Sequence, residues 1–161
     1  MAKKLLLETR SEPAFYTLIG ISAPLTDYRL TYLLNQSLEF SLKKLEDLST
    51  ILPGKKEPDT FSLFYFRDED QRNSYLLFSN RNQENFLLPE MRQMDFLLII
   101  EGGFKKSRKD GMLQNIRNIK NVLASYEIRF SELKNFENLL MDLELHMTNI
   151  LKPSKFKYQS V

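Results

Sequence analysis

The run Gly102-Gly103-Phe104-Lys105-Lys106-Ser107-Arg108-Lys109-Asp110-Gly111 gathers the residues best suited to hold an anion. Glycines bound a loop that leads into an amphipathic segment, so the free amides of a helix start would sit beside Lys105, Lys106, Arg108 and Lys109. From Phe104 to Lys120 six basic residues stand against Asp110 alone, and the Phe104 ring offers a stacking surface. Phosphate or RNA is the ligand such a cluster would serve, and a solvated loop is the commoner explanation of one.

Other chemistry is thin. Asp68, Glu69 and Asp70 lack the alternating oxygen ligands and following glycine of a calcium loop, since Arg72 and Asn73 come next, and they read as a solvated turn. His146 is the single histidine, with no second ligand in pattern, and reads as a surface or seam-edge residue. Walker, dinucleotide, nucleophile-elbow and paired-histidine motifs do not occur, and cysteine is absent. Two carboxylates can suffice for glycoside chemistry, yet the 21 scattered acids single out no pair. The sequence therefore names no catalytic residue, no cofactor and no metal ligand, and the expectation is a protein that is not an enzyme.

The 161 residues, 42% of them hydrophobic, suit one compact domain. A formal charge of +2, from 23 basic and 21 acidic side chains, falls short of the field of a dedicated nucleic-acid binder. The lack of cysteine fits a reducing compartment, the apolar part of MAKKLLLETR is too short for a signal peptide, and no run is long enough to span a membrane. A cytoplasmic protein without a membrane partner is expected.

Elements that would position these residues follow from periodicity. Lys4 to Thr9 is a short strand candidate, and Phe15 to Ile21 a buried strand closed by Ser22-Ala23-Pro24. Thr26 caps a helix with Asp27 at its positive end and Leu30, Leu33, Leu34 and Leu38 inward, leaving Arg29, Asn35 and Gln36 to water. Phe40, Leu42 and Leu45 alternate as a half-exposed strand, and residues 52 to 59 form a loop. Thr60 to Phe66 and Ser74 to Ser79 make a hairpin, and Met94 to Ile100, apolar on both faces, takes a central place in the sheet. A second helix carries Met112, Ile116, Ile119 and Leu123, followed by a last strand, Tyr126 to Phe130.

The fold class is α+β: a mixed or mostly antiparallel sheet with two strand, helix, strand units, in the manner of ferredoxin-like folds, and helices against one face. Residues 1 to 130 form that domain, 131 to 151 a long C-terminal helix, and 152 to 161 a basic tail. Leu133, Phe136, Leu140, Leu143 and Met147 line a narrow seam on the helix, which packs on its own domain or on a partner.

Pro89 confines Leu88 to an extended conformation, and Glu90 and Asp95 bracket the approach to the central strand. A carboxylate at that mouth needs amides or a cation, and the expected role is structural, tying the Pro-Glu turn to the strand start or pairing with a basic residue such as Arg29. These residues also resemble a known family. Leu88-Pro89-Glu90-Met91-Arg92-Gln93-Met94-Asp95-Phe96 is similar to the signature of the IPExxxVDY family of small bacterial proteins. Pro89, Glu90 and Asp95 match literally, while Leu88, Met94 and Phe96 stand for isoleucine, valine and tyrosine. Leu18-Ile19-Gly20-Ile21-Ser22, Leu25, Asp27-Tyr28-Arg29-Leu30 and Asn35 extend the likeness, which runs over roughly residues 5 to 140. It implies a housekeeping role in the cytoplasm without implying a mechanism.

The leading expectation is a non-enzymatic protein-binding or adaptor module, with another protein or a second copy on the C-terminal helix. The alternatives are an RNA-binding accessory factor using residues 105 to 109 and a small-molecule-sensing regulatory domain.

Overall fold

A computed structural model describes residues 15–134 and 136–159, with side chains to residue 150. The strand expected at Lys4 to Thr9 and the tail from 152 lie outside the residues whose side chains are described. The elements run β1 (Tyr16–Ser22), α1 (Asp27–Leu38), β2 (Lys43–Thr50), β3 (Asp59–Asp68), β4 (Asn73–Ser79), β5 (Phe96–Glu101), α2 (Lys106–Arg117), β6 (Ala124–Glu127) and α3 (Phe136–Gln159). Short 3-10 turns occupy Pro89–Met91 and Phe130–Glu132.

The fold is α+β, built on a six-stranded sheet in the order β2-β3-β4-β5-β1-β6 with every neighbouring pair antiparallel. Because β5 and β6 both oppose β1, they run parallel to each other with α2 crossing between them. β1 and β2 are likewise parallel, separated by β3, β4 and β5. The two strand, helix, strand units thus bridge strands that never pair directly, as in ferredoxin-like sheets.

β5 occupies the interior position that its two apolar faces demand. Leu97 and Ile99 point to one core cluster, and Phe96, Leu98 and Ile100 to the other. α1 and α2 cover the second cluster with Leu30, Leu34, Met112, Leu113 and Ile116. α3 covers the opposite face with Phe136, Leu139, Leu140 and Leu143, so helices lie on both faces rather than one. Each such side chain withdrawn from water contributes about 1.5–3 kcal/mol before conformational entropy is set against it. Gly20 faces the α3 side, where an added Cβ would lie 2.7 Å from Met94 Cγ; the close approach needs a residue without one.

Several expected boundaries shift. Thr26 caps α1 as expected, its Oγ1 accepting from the Arg29 amide at 3.2 Å. Asn35 does not face water. Its amide and carbonyl clasp the Leu42 backbone at 3.2 and 2.9 Å, and Glu39 turns left-handed at φ 56, so residues 39 to 42 form the exit of the helix. The strand therefore begins only at Lys43, where pairing with Tyr65 starts. α2 ends at Arg117, which leaves Leu123 72% exposed instead of on the apolar face, and the last strand starts two residues early at Ala124.

Both sheet edges discourage further pairing. β6 is four residues long, and β2 exposes charges and breaks register between Leu45 and Leu48. His146 Nε2 lies 3.0 Å from the Glu46 carbonyl inside that irregularity, which places the single histidine in a structural contact at the seam edge.

The seam of α3 is occupied by its own sheet. Phe136, Leu140 and Leu143 are buried, Met147 packs on the same cluster, and Leu133 does so from extended backbone ahead of the helix. Polar ties reinforce the docking: Thr50 Oγ1 donates to Asp142 at 2.6 Å and Tyr16 Oη to Glu144 at 3.0 Å. No helix among the described residues is long and apolar enough to cross a membrane.

Candidate functional site

The basic segment lies at the end of the sheet where β4 begins and β5 ends. Lys106, Arg108 and Lys109 belong to the first turn of α2, and Lys105 is its N-cap residue with no side-chain cap. Arg108 is not available to a ligand in the way its sequence position implied. Its guanidinium donates to Asn73 Oδ1 at 2.8 Å and to the Tyr75 hydroxyl at 3.1 Å, lies 3.7 Å from Asp68, and covers the Phe104 ring at 4.5 Å. Lys109 pairs with Glu127 at 3.0 Å. Lys105 and Lys106 alone of the four are exposed, and two solvated lysines make a weak anion site.

Asn73, completely buried, completes that arrangement by donating to the carbonyls of Glu101 at 3.2 Å and Gly103 at 3.1 Å. Tyr75 is equally buried. Loss of water around its phenol raises its pKa from the usual 10.0, and the neighbouring Arg108 charge opposes that rise. The cluster fastens the start of α2 to the sheet.

The Pro-Glu segment lies at the other end of β4. Leu88 is extended, at φ −118 and ψ 93, and Pro89 opens a 3-10 turn, as its ring geometry requires. What holds the segment was not anticipated: Asn80, fully buried just past β4. Its side-chain amide donates to the carbonyls of Met91 at 2.8 Å, Met94 at 3.0 Å and Leu88 at 3.4 Å, and its Oδ1 accepts the Leu88 amide at 2.8 Å. The signal in the sequence was slight, an asparagine just past an apolar strand with Asn82 and Asn85 close behind it.

Asp95 is satisfied as its burial demands, though by a different cation. Its Oδ2 accepts the Ala23 amide at 2.9 Å and its Oδ1 meets Arg81 at 3.1 Å. Arg29 instead lies on exposed α1, its guanidinium 5.8 Å from the Tyr32 ring. Asp27 stays at the start of α1, where its carboxylate accepts the Tyr28 amide at 2.7 Å.

A second clamp braces the outer part of the same loop. Asp59 accepts from Asn85 at 3.0 and 3.2 Å and from Asn82 at 3.1 Å. The Asn85 bonds first, then Asn82, hold the Asp59 carboxyl below its usual 3.8. Asn82 Oδ1 also accepts the amides of Glu84 and Asn85 at 2.9 and 2.7 Å.

Between this loop, residues 50 to 55 and the first turns of α3 opens a cleft of about 760 Å³. That volume falls in the range of small-ligand sites, about 300–1,000 Å³. Leu52, Leu87, Leu88 and Leu139 give it an apolar lining, and Ile51 stands 60% exposed at its wall. Lys55, Glu84, Glu90 and Arg92 supply charges of both signs. None of those four forms an ion pair among the described residues, while Asp142 is engaged by Thr50. Of the residues singled out in the sequence, Pro89 and Glu90 line the cleft and Asp95 braces its loop. The Lys105 to Lys109 cluster lies at the opposite end of β4.

No group of three or more histidine, cysteine, aspartate or glutamate side chains suited to a metal occurs among the described residues. No family model matches the chain, and no curated protein matches it.

Proposed function

We propose that this chain is a non-enzymatic binding module whose ligand site is the cleft bounded by residues 50 to 55, the loop from 84 to 92 and α3. The observation that carries the reading is a small-ligand-sized cavity with four charged side chains left unpaired around an apolar lining. No histidine, serine or cysteine lines it among the described residues, and its one hydroxyl, that of Thr50, donates to Asp142 where α3 docks on the sheet. A cytoplasmic small-molecule-sensing role thereby moves ahead of an adaptor role based on the helix seam, because the side chains of that seam are occupied. It also moves ahead of RNA binding, for which Lys105 and Lys106 alone stand free.

The loop supports this reading through rigidity. Asn80 and Asp59 fix its course before any ligand arrives, which lowers the ordering cost of binding. Screening a fragment and metabolite library by amide chemical shifts tests it. The expected result is a cluster of shifts at Ile51, Leu88, Glu90 and Leu139 that Leu139→Trp abolishes. A library that shifts no residue there overturns it.

One observation favours a protein partner as the second reading. Met141 and Leu145, one turn apart on the outer side of α3, are each 62% exposed. A concentration-dependent rise in mass, lost in Met141→Ser/Leu145→Ser, would support association of two copies there.

A further inference from the structure

The charge pattern of the cleft selects among small ligands. Lys55 and Arg92 favour an anionic group, and Glu84, Glu90 and Asp142 a cationic one. A polyphosphate or dianion meets three carboxylates, and a polyamine meets two cations; each would bury a like-charge contact. A net-neutral molecule carrying one charge of each sign meets neither penalty. The cleft's apolar lining asks that the rest of the ligand be hydrophobic. Arg92 is further disposed toward a planar carboxylate, since its guanidinium already lies 5.5 Å over the Phe86 ring and keeps its donor edge for a fork-like contact.

We propose that the cleft binds a short apolar peptide with free termini, its carboxylate received by Arg92 and Lys55 and its ammonium by Glu90 and Glu84. This rests on the cleft being the ligand site. The same chemistry arises from a free peptide or from the exposed terminus of a longer chain. A terminus presents only one of the two charges near the cleft, which separates the two sources.

Titration of the full chain with trileucine, followed by amide chemical shifts and calorimetry, tests the proposal. Trileucine is expected to bind at the cleft, and C-terminal amidation and N-terminal acetylation are each expected to weaken it by about tenfold, the loss of one favourable charge contact. Arg92→Gln should remove the sensitivity to amidation alone, and Glu90→Gln the sensitivity to acetylation alone. Arg92 is exposed and Glu90 half-buried, neither bonded in the core, so both variants fold. Sensitivity to amidation with indifference to acetylation assigns the site to the carboxyl terminus of a longer chain and overturns the free-peptide form. Indifference to both caps, or no trileucine binding while uncharged fragments still shift Ile51 and Leu139, overturns the peptide class and leaves the cleft as a site. An absence of any shift there removes both.

Discussion

β4 ends in a buried asparagine in one direction and is followed by one in the other, and the two do opposite things to the chemistry around them. Asn73 takes a charged side chain, Arg108, as partner, and the arginine in turn engages Tyr75 and Phe104. Asn80 bonds only backbone groups of the loop it faces. Fastening a segment through its side chains consumes the groups that looked functional; fastening it through its backbone leaves them free. That difference explains why the basic cluster is largely structural while Glu90 and Arg92 remain unpaired beside a cleft.

The largest expected effect breaks the Asn80 side of this comparison. Asn80→Ala strands the Met94 carbonyl and the Leu88 amide without partners and takes one of two bonds from the carbonyls of Leu88 and Met91, and should lower the unfolding free energy by about 3–5 kcal/mol in urea denaturation. A loss under about 1 kcal/mol would show that the loop is held by other means. Next comes the docked seam of α3. Leu143→Ala, at a side chain 2% exposed, should remove about 3 kcal/mol. Leu145→Ala, two positions on and 62% exposed, should change stability by less than about 0.5 kcal/mol. Equal effects would mean that the helix is not docked through its seam.

The Asn73 side is sharpened by Arg108→Met, expected to cost about 2 kcal/mol through lost charge-assisted bonds. Lys105→Ser with Lys106→Ser should stay within about 0.5 kcal/mol. If all three behaved alike, the cluster would be solvated rather than structural. Smallest is a pH effect at Tyr75. Its raised pKa means that the unfolded chain loses the phenolic proton first. The stability it contributes is therefore complete below pH 10.0 and falls as pH climbs above that value toward the folded pKa. Urea midpoints measured upward from pH 10 should decline more steeply in the parent protein than in Tyr75→Phe, whatever the difference in their levels.

The elements themselves were largely legible. A run such as Phe96 to Ile100, apolar on both faces, fits only an interior strand, and the hairpin of β3 and β4 follows from aromatic-rich strands around a polar turn. Thr26 as a cap and Pro89 as the start of a turn are local chemistry, settled by neighbours within a few residues. Where sequence reading erred, a distant contact intervened. Leu123 matched the helical period of α2, but the helix stops at Arg117 and the Leu123 amide donates to the Ser22 carbonyl of β1. Arg29 was one basic residue that could have paired with Asp95, yet Arg81 fills that place.

The sequence by itself determined the class of fold, the position of the central strand and the poverty of catalytic groups, because periodicity and residue type act locally or on average. Only the tertiary structure decided which charges are engaged and which are free. Whether Arg108 faces a ligand or Asn73, and whether the α3 seam meets a partner or its own sheet, depends on groups far apart along the chain. Periodicity marks a face as apolar or charged, and only the packed arrangement of the sheet determines what that face meets.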